Sequence, residues 1–127
     1  MNASSNSPLI PVYTSHGDVE AFLAYPYLFN RIGDWVGWVT PKRAVYSVLG
    51  YYVGYLTNDP RILRKRATST LKPRLSPPPS PDRILPPATV PLAPLMSELT
   101  HSLVDVLQDE PERIHTVDRG EFREDLD

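Results

Sequence analysis

Between residues 12 and 56 the apolar and polar positions follow one twelve-place pattern three times. Each copy opens on an aliphatic and an aromatic residue (Val12-Tyr13, Leu28-Phe29, Val45-Tyr46) and carries a glycine at the sixth place (Gly17, Gly33, Gly50). Each closes on a small, an aromatic and an aliphatic residue (Ala21-Phe22-Leu23, Gly37-Trp38-Val39, Gly54-Tyr55-Leu56). A glycine between two runs rich in Val, Tyr, Trp and Phe predicts a tight turn, because glycine enters φ > 0 without a Cβ clash, and each copy therefore predicts one β-hairpin. Isolated hairpins are marginal in water, so the three must share a core. Period-two alternation assigns Trp35, Gly37 and Val39 to one face and Val36 and Trp38 to the other. Neither face is polar, so both are expected to be covered. Gly37 and Gly54 weaken their strands by roughly 0.5–1 kcal/mol each relative to alanine, which predicts a close neighbour there, expected to be an aromatic ring of an adjacent copy.

This repeated motif resembles that of the small bacterial four-fold β-flower proteins, in which hairpin repeats surround a pseudo-symmetry axis. The resemblance covers residues 12–56 and implies an architecture, without catalytic residues or a ligand. Three copies stand here in place of four. Leu9-Ile10, Ile62-Leu63 or a second chain would supply the missing element, and a six-stranded SH3-like barrel is the alternative. The fold class expected is mainly β: three tandem β-hairpin repeats forming a small barrel or flower-like domain, then a proline-rich extended arm and one C-terminal amphipathic α-helix.

The divisions follow the composition. Residues 1–7 are small and polar and predict disorder, and residues 8–63 make the hairpin domain. Residues 64–94 make a basic, proline-rich arm, with nine prolines between residues 73 and 94 that bar any helix or central strand. A pure spacer would be polar, yet this one carries Leu71, Leu75, Ile84, Leu85, Val90 and Leu92, which predicts that it lies against a surface. In residues 95–109, Leu95, Leu99, Leu103 and Val106 recur at helical spacing, with Ser97 as N-cap and Asp109-Glu110-Pro111 as stop, and predict an amphipathic helix. Residues 110–127 form an acidic tail.

Charge adds an asymmetry to this picture. The formal net charge is −2, but residues 61–83 hold seven bases against one acid and residues 96–127 hold ten acids against three bases. The absence of cysteine removes disulfide and thiolate chemistry and fits a reducing cytoplasm. No apolar run approaches the length of a membrane span, and the first residues lack a signal peptide's basic and apolar regions, so a cytoplasmic protein without membrane insertion is expected. His16, His101 and His115 share no metal-ligand spacing, and no nucleophile elbow, phosphate loop or carboxylate pair is present. No cofactor and no enzymatic activity are expected. The leading reading is a non-catalytic structural or accessory module that binds a protein partner or a second copy through its arm and helix, using Ile84, Leu85, Leu95, Leu99, Leu103 and Val106. The alternative is nucleic-acid binding by Arg64, Lys65 and Arg66 of the basic run Arg61–Arg66 beside Trp35 and Tyr52, since aromatic platforms next to basic grooves hold single strands.

Overall fold

A computed structural model describes residues 9–66 and 72–117. The expected disorder of residues 1–7 and the end of the acidic tail lie outside these. Among the described residues eight strands follow one another in an antiparallel meander: β1 (Ile10–Tyr13), β2 (Val19–Ala24), β3 (Tyr27–Asn30), β4 (Trp35–Val39), β5 (Ala44–Ser47), β6 (Tyr52–Leu56), β7 (Ile62–Lys65) and β8 (Leu103–Asp105). The sheet curls into a half-barrel. The curl brings the amide of Tyr13 on the first strand to the carbonyl of Pro60 in the β6–β7 turn, at 3.0 Å.

The hairpins β1–β2, β3–β4 and β5–β6 share two local features. Gly17, Gly33 and Gly50 take φ values of 94°, 95° and 93°, the left-handed region that the glycine spacing predicts. Each hairpin also slips register once, between Val12 and Tyr13, between Leu28 and Phe29, and between Val45 and Tyr46, which leaves Glu20, Val36 and Val53 as the extra residues. These bulges add twist and break the strict alternation of faces. That is why Trp35 and Trp38 share one cluster while Val36 and Val39 share the other.

The turns have a second determinant. The residue that opens five of them, all but the β2–β3 turn, uses its side chain to accept a hydrogen bond from the amide four places on: Asp18 to Thr14 at 3.3 Å, Asp34 to Asn30 at 2.9 Å, Ala44 to Thr40 at 3.1 Å, Tyr51 to Ser47 at 3.3 Å and Arg61 to Thr57 at 2.7 Å. Short polar side chains that bond nearby backbone are what turns select for.

Two clusters build the core. An aliphatic one runs from Val12 through Leu28, Val45 and Ile62 to Val106, which one meander can achieve only on the concave side of its curl. An aromatic one joins Phe29, Trp35, Trp38 and Tyr46 on the other side of the sheet. There Trp38 and Tyr46 stack at 5.4 Å, and Tyr46 meets Tyr52 edge-on at 5.7 Å. Both faces are covered, as the apolar alternation requires. The close neighbours of Gly37 and Gly54 are not rings, however. A Cβ would run into the Tyr46 carbonyl at Gly37 and into the Leu63 carbonyl at Gly54, so the missing side chains make room for adjacent strand backbone.

The expected helix over residues 95–109 is confined to one turn, α1 (Val106–Asp109), followed by a 3-10 turn at Pro111–Arg113. Residues 95–100 form neither helix nor strand, and Leu103–Asp105 pairs with β7. Tertiary pairing overrides the helical spacing here, because β7 would otherwise end the sheet with an open row of donors and acceptors. The N-cap is Asp105 rather than Ser97, and its side chain accepts from the Gln108 amide at 3.2 Å.

Candidate interaction surface

The arm crosses the three glycine turns in reverse chain order. Leu75 donates its amide to the Gly50 carbonyl at 3.0 Å and Ile84 donates to Gly33 at 2.9 Å. Further on, the Ala93 methyl lies 3.7 Å from where a Gly17 Cβ would stand. A Cβ at Gly50 would collide with the Leu75 carbonyl and one at Gly33 with the Ile84 carbonyl, so glycine here serves both the turn and the passage of the arm. Leu75, Ile84 and Ala93 are nine residues apart. The residue before each of the first two is an arginine. Arg74 donates through Nε to the Leu49 carbonyl at 2.6 Å and lies 5.0 Å from the Tyr51 ring centre. Arg83 donates through Nε to Asp34 at 3.0 Å and also to the Ile32 carbonyl. Tyr13 donates its hydroxyl to the Pro91 carbonyl at 2.9 Å, tying down the far end.

The other side of the arm faces solvent. Leu85, Leu92 and Leu95 are 86%, 95% and 103% exposed, with Val90 beside them. The sequence-derived partner-binding set therefore divides. Leu85 and Leu95 are on the surface, and Ile84 packs beneath the arm against the aromatic cluster. Leu99 and Leu103 are half-buried, while Val106 is fully buried in the aliphatic core and cannot serve a partner. Leu92, which faces away from the body as Leu95 does three places on, completes the exposed set. The spacing of three that a polyproline-type chain brings to one side could have found it.

The residues of the nucleic-acid reading are not brought together. Trp35 is buried and its indole donates to the Gly37 carbonyl at 2.8 Å. Arg64 forks onto Glu110 with two 2.7 Å hydrogen bonds, and Arg66 donates to the His101 carbonyl at 2.9 Å. Lys65 is exposed on β7. Tyr52 is half-buried with the Lys72 ammonium 5.1 Å from its ring centre, and burial first, then Tyr46 and Tyr55, raise its phenol pKa. Hydrogen bonds from Arg64 and Arg113 hold the Glu110 carboxyl down from 4.5 to about 2. Arg64 of the basic run and Glu110 of the acidic segment thus pair within the chain.

A buried polar network closes the sheet where its first hairpin meets β8. Asp105 accepts from the Ser15 amide at 2.7 Å and from its hydroxyl at 2.6 Å. The guanidinium of buried Arg61 donates to the same Ser15 hydroxyl at 2.9 Å and to Asp59 at 2.7 Å. His16 offers only its backbone, to Gln108 at 3.1 Å, so serine, histidine and aspartate here form a brace and not a relay. A separate cleft of about 400 Å³ opens between Glu20, Asn30, Asp34, Leu107, Ile114 and His115. Among the described residues no cluster of three His, Cys, Asp or Glu side chains could hold a metal, and no helix is long and apolar enough to cross a membrane. No family model, curated protein or solved structure matches this chain.

Proposed function

We propose that this protein is a non-catalytic accessory module that attaches to a larger assembly through the outer face of its proline-rich arm. The body acts as a frame, and its three glycine-turn hairpins are read as copies of one unit, in keeping with a β-flower-like design. The observation that carries the reading is the apolar ridge of Leu85, Leu92 and Leu95, held out from an arm whose inner side is bonded to the body. Residues 66–102 connect two paired strands, and a connection of that length with no helix or strand among its described residues usually has a job beyond connecting. The occupant suited to this ridge is a protein groove of the kind that receives extended proline-rich segments, where apolar side chains fill pockets and preset backbone lowers the entropy cost. The attachment does not draw on β8 or α1, because both pack into the body.

The test compares a full-length wild-type bait with an L85S/L92S/L95S bait. The exposed positions leave folding unchanged, and recovery of the specific partner is expected to fall at least about tenfold, a change of roughly 1.4 kcal/mol. Equal recovery by both baits would refute the reading. Truncation after Arg66 is unsuitable, since it removes β8 together with the arm.

A second reading, single-stranded nucleic-acid binding, is favoured by one observation: Tyr51 is exposed beside Arg74, next to the Lys72–Tyr52 pair. It predicts an affinity for RNA or single-stranded DNA that falls steeply with salt. No binding at low salt would end it.

A further inference from the structure

The three glycine turns are crossed by the same arm at the same interval, and their seats for the arm are not filled alike. At Gly33 the arm supplies Arg83, whose guanidinium takes the Asp34 carboxylate, one place after the glycine, and the Ile32 carbonyl, one place before it. At Gly50 it supplies Arg74, which takes the Leu49 carbonyl, again one place before the glycine, and lies against Tyr51, one place after it. Two seats of one design therefore hold two arginines nine residues apart.

The Gly17 turn has the same parts. His16 precedes the glycine and Asp18 follows it, as Ile32 and Asp34 flank Gly33, and the turn angle is the same. Nine residues beyond Arg83, however, the arm carries Leu92, which is almost fully exposed and covers nothing. Ala93 keeps the register over the glycine by its methyl group, and among the described residues the Gly17 carbonyl receives no arm amide of the kind that reaches Gly33 and Gly50. Asp18 is exposed, and among the described residues its carboxylate has no cationic partner.

We propose that the Gly17 turn is an open guanidinium seat that takes an arginine from an arginine–aliphatic segment of another protein chain. The Asp18 carboxylate and the His16 carbonyl accept from the guanidinium, as their counterparts do for Arg83, and Arg is preferred to Lys because a planar fork spans a carboxylate and a carbonyl at once. Charge complementarity and two filled precedents in the same molecule select this occupant. The inference goes beyond attachment through the leucine ridge and does not require it, because its test reads the Gly17 turn alone.

The experiment titrates the full-length protein, followed by amide NMR, with a blocked pentapeptide of the arm's own second station, Arg-Ile-Leu-Pro-Pro. Saturable shifts centred on His16, Gly17 and Asp18 are expected, with a Kd on the order of millimolar. The exposed substitution D18N is expected to weaken binding roughly two- to fivefold, the range of one surface ion pair, and a Lys-for-Arg peptide to bind more weakly as well. In a second variant, L92R, the arm's own arginine fills the seat, which blocks the peptide and raises the melting temperature by roughly 1–4 °C. Shifts centred on Gly33 or Gly50 instead would overturn the proposal, as would binding indifferent to D18N, or no binding together with an unchanged L92R melting temperature.

Discussion

At the scale of single residues, three glycines with one backbone angle allow local strain to be separated from contact with the arm. Alanine at Gly17, Gly33 or Gly50 meets the same left-handed backbone, at a cost of about 1–2 kcal/mol. At Gly33 the added methyl also meets the Ile84 carbonyl, whereas at Gly17 it meets only the Ala93 methyl at ordinary contact distance. Urea unfolding should therefore rank G33A as the more damaging, by at least about 1 kcal/mol beyond G17A, which is the scale of a displaced backbone hydrogen bond. Equal effects would mean that the arm yields without cost. Glu110 provides a pH-dependent counterpart. Its folded-state pKa of about 2 lies below the ordinary 4.5, so its ion pairs with Arg64 and Arg113 stabilise the fold fully above pH 4.5, and this contribution disappears as pH falls through about 2. The E110Q variant should show a flatter decline in melting temperature across that window than wild type, and a decline as steep would exclude the pair from acid stability.

Whole elements show where local pattern suffices and where it does not. The glycine turns and the apolar runs beside them were legible, because a positive φ and a paired strand are demands that a few neighbouring residues express. The polar residue opening five of the turns was equally local, at Thr14, Asn30, Thr40, Ser47 and Thr57, but it is masked by its variety, since Thr, Asn and Ser perform one task. The stretch around Leu103 was not legible. Its spacing satisfies a helix, and only the unpaired edge of β7, distant in sequence, turns it into a strand. The residue that settles the switch is Asp105, buried where β8 ends, capping α1 and holding the Ser15 amide and hydroxyl. Replacing it with alanine removes three acceptor contacts and leaves the Ser15 amide and the Gln108 amide without their side-chain acceptor, so D105A should cost about 1.5–3 kcal/mol, the scale of hydrogen bonds to a charged group. A loss below about 1 kcal/mol by urea unfolding would show that β8 docks without this brace. On the candidate surface, the exposure of Leu85 follows from its place as an apolar residue among prolines, whereas Leu95 was read as part of a helical stripe that does not form around it. Val106 was misassigned with them because the helical stripe hid its place in the core.

Across the molecule as a whole, the arm behaves as a strap measured against the body it crosses. Its contact residues Leu75, Ile84 and Ala93 recur every nine positions while the turns beneath recur every 16 or 17, so each glycine turn meets one station of the arm, the first two through backbone hydrogen bonds and the third through a methyl contact. Hydrogen exchange should reveal this alternation as slow amides at Leu75 and Ile84, which donate to the turns, and fast ones at Leu85 and Leu92. Uniformly fast exchange along the arm would show that the strap is loose.

The pairing of β7 with β8 also sets an order of events during synthesis. On the ribosome, β7 emerges with its partner β6 already made, but its other edge must wait until the whole of residues 66–102 has been translated before Leu103–Asp105 arrives. At 5–20 residues per second that wait is about 2–7 s, during which the nascent chain presents a bare strand to any neighbour. Lys65 and Arg66 lie at the end of that strand, and positive charge at an exposed edge discourages pairing between chains.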